Sequence, residues 1–143
     1  MTHKDWFLVS SLAAYCRAER GNMDIAIKRA YLDAVPTDGT RVLVDRLWPR
    51  GVTKARAQID WWPKEITPST ELRKWYHQNP EQNWDEFQQR YRLELTQQEA
   101  TLQELLQLAQ QQKVTLITAA KDEQHNHVVV LKRVLEQSLT SLE

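Results

Sequence analysis

Two short apolar runs, Val42-Leu43-Val44 and Val114-Thr115-Leu116-Ile117-Thr118-Ala119, constrain this chain more than any other feature. Runs of that length, rich in Val, Leu and Ile and not alternating with polar residues, suit strands covered on both faces, the usual condition of a parallel sheet. Parallel strands need a long crossover, and the chain between the two runs is strongly helical in pattern. A third strand candidate, Asp24 to Tyr31, precedes them. Strands alternating with helical stretches predict a small parallel sheet with helices on both faces. Right-handed crossovers would then bring the carboxyl ends of all strands to one edge, where ligands of such sheets sit.

The connecting segments have their own punctuation. Pro36, Asp38 and Gly39 mark a turn into the second strand, read over residues 41–46. Thr53 can cap a short helical turn, and Ser69 or Thr70 a helix from Glu71 to about His77 that Asn79-Pro80 ends. Residues 82–112 carry Trp84, Phe87, Tyr91 and Leu95 at spacings of three and four, then Leu102, Leu105, Leu106 and Ala109 after a loss of phase. That pattern predicts two helices or one kinked helix. Asp122 is the N-cap candidate for a last helix carrying Val128, Val129, Leu131, Val134 and Leu135.

Three polar clusters meet on the expected edge: Lys28-Arg29, Asp45 to Arg50, and Lys121 to His127. The middle one lies in Asp45-Arg46-Leu47-Trp48-Pro49-Arg50-Gly51, where proline and glycine force the chain out of the sheet. Several cations, two carboxylates, two imidazoles and a helix N-terminus suit an anionic ligand such as a phosphate, a nucleotide or a carboxylate. The bland alternative is that arginines and aspartates pair to close the top of the sheet. In the enzyme reading, Asp45 orients or accepts a proton and Arg29, Arg46 and Arg50 bind the anion. Lys121 stabilises developing charge, and His125 or His127 acts as acid or base with Asp122 orienting it. Trp48 and Trp62 either stack on a ring of the ligand or cap the core.

A metal is the weaker reading of Asp122, His125 and His127. On one helix the two imidazoles would point about 200° apart, at 3.6 residues per turn. They could share an ion only if His125 precedes the first regular turn, so no metal site is assigned, and no cofactor is indicated.

Composition bounds the remaining classes. The chain has 143 residues, enough for one domain, and 19 basic against 19 acidic side chains give a formal net charge of zero. No global field therefore favours nucleic acid, which makes that partner unlikely. No apolar run is long enough to span a bilayer. The single cysteine, Cys16, allows no internal disulfide and fits a cytoplasmic protein. Only three glycines are present, and neither a dinucleotide fingerprint, nor a Walker A loop, nor a nucleophile elbow occurs. The oligomeric state is not legible. Residues 1–22 read as an N-terminal extension before Met23, or as a helix over Asp5 to Ala18; residues 23–143 read as the domain.

At Val44-Asp45-Arg46-Leu47-Trp48-Pro49-Arg50-Gly51 the chain resembles the YeaO-like branch of the bacterial domain-of-unknown-function family 488. The likeness continues through Pro68-Ser69-x-x-Leu72-Arg73-x-Trp75, Arg90-Tyr91 and Ala119-Ala120-Lys121-Asp122-x-x-His125-Asn126-His127, over roughly residues 24 to 136. It implies a small Rossmann-like three-layer α/β domain of the bacterial cytoplasm, with no established reaction. Met23 falls where members of that branch begin. Larger relatives carry an Asp-Val-Arg motif, to which Asp45-Arg46 would correspond, and a Cys-x-Glu…Cys-His-Arg pattern. In the latter His127 would match the histidine, while Ala119 and Asn126 stand at the cysteine positions. The resemblance thus implies no cysteine chemistry here. Two functions remain in view: an enzyme acting on a small anionic or nucleotide-like substrate, and a non-catalytic ligand-binding or sensor module.

Overall fold

The computed structural model describes residues 24–142, so both readings of residues 1–22 lie outside the described residues. Its elements are β1 (Ile25–Arg29), β2 (Thr40–Leu43), α1 (Lys54–Ala57), α2 (Thr70–Gln78), α3 (Pro80–Thr96), α4 (Glu99–Gln111), β3 (Val114–Thr118) and α5 (His127–Leu142). Single 3-10 turns occupy Pro36–Asp38 and Lys64–Ile66. The strands form a wholly parallel sheet in the order β1-β3-β2, so β3 is central, and all five of its residues are buried. The absence of charged residues from it follows from that position.

Beyond β2, Asp60 and Trp61 run along the sheet edge. The Leu43 amide donates to Trp61 O at 2.9 Å and the Asp60 amide to Arg41 O at 2.8 Å. This short addition covers backbone groups that would otherwise form an open strand edge. Gly39 permits the turn into β2: its φ is 67°, and a Cβ there would collide with the Lys113 backbone.

The two faces of the sheet are covered unequally. Val42, Val44, Val114 and Leu116 share the main core with Leu72 and Tyr76 of α2, Phe87, Tyr91 and Leu95 of α3, Leu105, Leu106 and Ala109 of α4, and Val128, Leu131 and Leu135 of α5. Leu43 and Ile117 point the other way, where they meet Ala30, Trp48, Ile59 and Trp62. Helices on both faces were expected. Among the described residues the second face instead carries the one-turn α1 and irregular chain. The physical reason is local: Pro49, Gly51 and Pro63 interrupt the stretch that would have to be helical.

Two of the three proposed caps are formed. Thr53 accepts from the Arg56 amide at 3.1 Å, and the Ser69 hydroxyl from the Leu72 amide at 3.1 Å. The ambiguous region over residues 82–112 is two helices that break at Gln97 and Gln98. The second strand is shorter than read, because the chain turns out of the sheet before Asp45. No helix among the described residues is long and apolar enough to cross a membrane.

Candidate functional site

Because the three strands are parallel, the loops after β2 and β3 leave the sheet at the same edge. Asp45 joins them. Its Oδ1 accepts from the Thr118 hydroxyl at 2.7 Å and its Oδ2 from the Ala119 amide at 2.7 Å. His127, the first residue of α5, places Nε2 3.1 Å from Asp45 Oδ1 and 2.6 Å from the Val44 carbonyl oxygen. A carbonyl can only accept, so Nε2 carries the proton and Nδ1 is left as the ring's second nitrogen. Among the described residues Nδ1 has no hydrogen-bond partner. Burial raises the Asp45 carboxyl pKa, but the bond and charge of His127, the Ala119 amide and the Thr118 hydroxyl outweigh it. The net shift is downward, and the group is a carboxylate.

Asp122 plays a different part from the one assigned to it by sequence. Its Oδ1 accepts from the Gln124 amide at 2.9 Å and the His125 amide at 3.0 Å, closing the turn before α5. Those bonds hold its pKa below the usual carboxylate value. The cap of α5 is Asn126, whose Oδ1 accepts from the Val129 amide at 3.0 Å. Asp122 is too far upstream to reach that helix, since α5 begins only at His127. His125 therefore precedes the helix, its ring centroid 4.8 Å from that of Trp84 and tilted by 31°, with Nδ1 4.0 Å from Asp122 Oδ2. Among the described residues, no three His, Cys, Asp or Glu side chains gather in a way that could hold a metal ion.

Arg46 is oriented by backbone. Its Nε donates to Pro68 O at 3.0 Å and its Nη2 to Thr67 O at 3.3 Å. That strap is itself held from α3: the Ser69 amide donates to Glu94 Oε1 at 2.9 Å and the Ser69 hydroxyl to Glu94 Oε2 at 2.6 Å. One turn earlier, the buried Tyr91 hydroxyl donates to Ile66 O, and burial pushes its pKa far up. The guanidinium is thus aimed without being neutralised, because carbonyl oxygens carry no net charge.

These groups line one cleft of about 660 Å3. Asp45, Arg46, Trp48, Arg50, Lys121, Asp122, His125 and His127 all contribute to it. Arg29 and Trp62, also nominated from sequence, are not among its lining residues. The Arg29 Nε donates to Ala120 O at 3.3 Å, and its guanidinium lies over Tyr31 at 5.5 Å. Trp62 donates its indole N–H to Asp45 O at 2.7 Å and receives Lys64 on its ring at 4.0 Å. It is wedged behind the site.

Lys28, expected on the same edge, is drawn elsewhere. It lies 3.1 Å from Asp38, whose Oδ2 also accepts from Arg41 Nη1 at 2.6 Å. Burial raises the Asp38 pKa, but the Val35 amide, Lys28 and Arg41 together bring it below the usual value. The third wall of the cleft comes instead from α2, through Arg73, Tyr76 and His77. The His77 pKa is lowered by burial, then by the charges of Arg73 and His127. Sequence reasoning missed this wall. Arg73 and His77 stand four apart, a visible polar stripe, but nothing local said that α2 reaches the sheet edge.

The expected alternative, arginines pairing with aspartates, is not what the cleft contains. Asp45 is engaged by His127 and by neutral donors. Among the described residues, Arg46, Arg50, Arg73 and Lys121 form no ion pair.

A family model described as the inactive DUF488-N3 subclade matches residues 24–143. The chain belongs to the DUF488 family. It is 46% identical over 109 residues to the uncharacterized protein YeaO of Escherichia coli (strain K12), covering 76% of this chain and 94% of that protein. It is 43% identical over 111 residues to the uncharacterized protein Rv3073c of Mycobacterium tuberculosis, covering 78% and 92% respectively. These relatives place it in the YeaO-like branch of DUF488. No solved structure matches the chain. In this DUF488 chain position 119 is an alanine whose backbone amide serves Asp45.

Proposed function

We propose that this chain is a non-catalytic binding module that holds a small anion in the cleft at the carboxyl edge of a Rossmann-like sheet, acting in the cytoplasm. The observation that carries the reading is the set of four cations, Arg46, Arg50, Arg73 and Lys121, lining one cleft without a carboxylate partner among the described residues. In a chain of zero net charge, such a concentration favours an anion locally and does not draw in nucleic acid globally. Arg46, already aimed by two carbonyls, loses little freedom on binding and so gives more of its interaction energy to the ligand.

The groups that would have to do chemistry are occupied. Asp45 spends both oxygens on the scaffold, and Ala119 supplies no nucleophile. The word inactive in the matching family model agrees with that state. One observation favours a catalytic reading instead: the partnerless Nδ1 of His127, backed by a carboxylate on the far nitrogen, is how a general base is oriented.

Calorimetric titration of inorganic phosphate at low salt into the protein and its Arg73→Gln variant separates the readings, together with phosphorus NMR of a phosphomonoester left with the protein. Saturable binding, weakened about ten- to a hundred-fold by the loss of one charged donor worth about 1.5–3 kcal/mol, is expected, with no conversion of the ester. Absence of saturable heat removes the anion site. Steady conversion that His127→Gln abolishes removes the non-catalytic reading.

A further inference from the structure

A bare oxyanion leaves much of this cleft unexplained. Its volume of about 660 Å3 is that of a pocket for an organic molecule, a class spanning roughly 300–1,000 Å3. Its lining also includes large apolar side chains held in water: Leu47 is 67% exposed and Tyr31 is 38% exposed. Beside them Trp48 is fixed. Its indole N–H donates to Val52 O at 2.6 Å, and its ring packs edge-on against Trp62 at 5.5 Å. A rigid indole next to exposed Leu and Tyr side chains forms a surface that gains by being covered with a flat apolar body.

We propose that the ligand is an aromatic phosphomonoester, with its phosphate among Arg46, Arg73 and Lys121 and its ring against Trp48, Tyr31 and Leu47. This rests on the anion reading and extends it to a two-ended ligand. A phosphomonoester carries close to two negative charges at neutral pH, so it uses several cations where a carboxylate would use one or two. Guanidinium groups also match its oxygens in pairs. The two carboxylates of the lining do not oppose it as bare acceptors, since Asp45 receives three donors and Asp122 two backbone amides on one oxygen. A nucleoside monophosphate and a phosphorylated phenol share this chemistry. They differ in the distance between ring and phosphate.

The test is a series of affinities measured by calorimetry at one ionic strength. The probes are inorganic phosphate, glycerol phosphate, phenyl phosphate and adenosine monophosphate, titrated into the full chain and into a Tyr31→Ser/Leu47→Ser double variant. Both replaced side chains are exposed, so the fold is kept. At least one aromatic ester should bind tenfold or more tighter than glycerol phosphate, a margin of about 1.4 kcal/mol. That margin should fall several-fold in the double variant, where Trp48 alone is left to the ring, while the affinity for inorganic phosphate stays. Which ester shows it identifies the source. Equal affinities for all three esters overturn the aromatic end but leave the anion site standing, as does a margin undiminished in the double variant. Failure of every probe, inorganic phosphate included, overturns the anion reading itself.

Discussion

Replacing Asp45 by asparagine changes one oxygen to an amide in the joint between β2, β3 and α5. The carboxylate accepts from three donors: the Thr118 hydroxyl, the Ala119 amide and His127 Nε2. Asparagine has one accepting oxygen. The cheaper orientation keeps that oxygen on the Ala119 amide, because a backbone N–H cannot be turned to accept. The Thr118 hydroxyl can rotate to receive the new N–H, but His127 then meets a donor and loses its charged partner, retaining only Val44 O. The side chain of Asp45 is 15% exposed, so water compensates little. One charge-assisted hydrogen bond lost without replacement costs about 2 kcal/mol. For a domain of this size that lowers Tm by roughly 6–10 °C. Urea unfolding at pH 7, fitted to two states, measures it directly.

The charge gives this prediction a pH signature. The folded-state pKa of Asp45 is depressed, so its contribution is fully present above the unfolded value, near 3.9, and is lost as pH falls through the folded value. The gap between wild type and Asp45→Asn should therefore be constant at neutral pH and narrow only below about pH 4. A variant within 0.5 kcal/mol of wild type at pH 7, or a gap independent of acidification, would refute the assignment of Asp45 as an anchor.

Other replacements separate scaffold from site. Asn126→Ala removes the cap of α5 and should cost about 1 kcal/mol in chemical denaturation. Asp38→Ala leaves Arg41, 3% exposed, without its ion partner and should cost about 3 kcal/mol or more, read from the same unfolding curves. Glu94→Gln loosens the strap that aims Arg46, so it should weaken phosphate binding several-fold in calorimetry. The same change made on an Arg46→Gln background should have no further effect on affinity.

Much of the framework was legible because it rests on local signals. The apolar runs at Val42–Val44 and Val114–Thr118 announced strands buried on both sides, and the capping hydroxyls of Thr53 and Ser69 announced two helix starts. Parallel order then brought the Asp45 and Lys121 loops together without any motif. What failed depended on distance in space. Lys28 lies at the right end of its strand, yet its side chain crosses to Asp38, whose partner Arg41 is buried on the second face. Asp122 had the chemistry of a cap but stands five residues before α5 begins, and Asn126, nearer and equally able, takes the role. Arg73 was invisible as a site residue because only the packing of α2 against α3 places it at the cleft. The irregular second face follows from Pro49, Gly51 and Pro63, which stand where a helix on that face would have to run.

The most direct test of the central claim is a backbone and arginine side-chain NMR titration with inorganic phosphate at low salt. The account predicts saturable shifts confined to Arg46, Arg73, Lys121 and the residues beside them, with the Lys28–Asp38–Arg41 cluster on the other face unmoved. Shifts spread over exposed lysines without saturation, or none at the cleft, would contradict it.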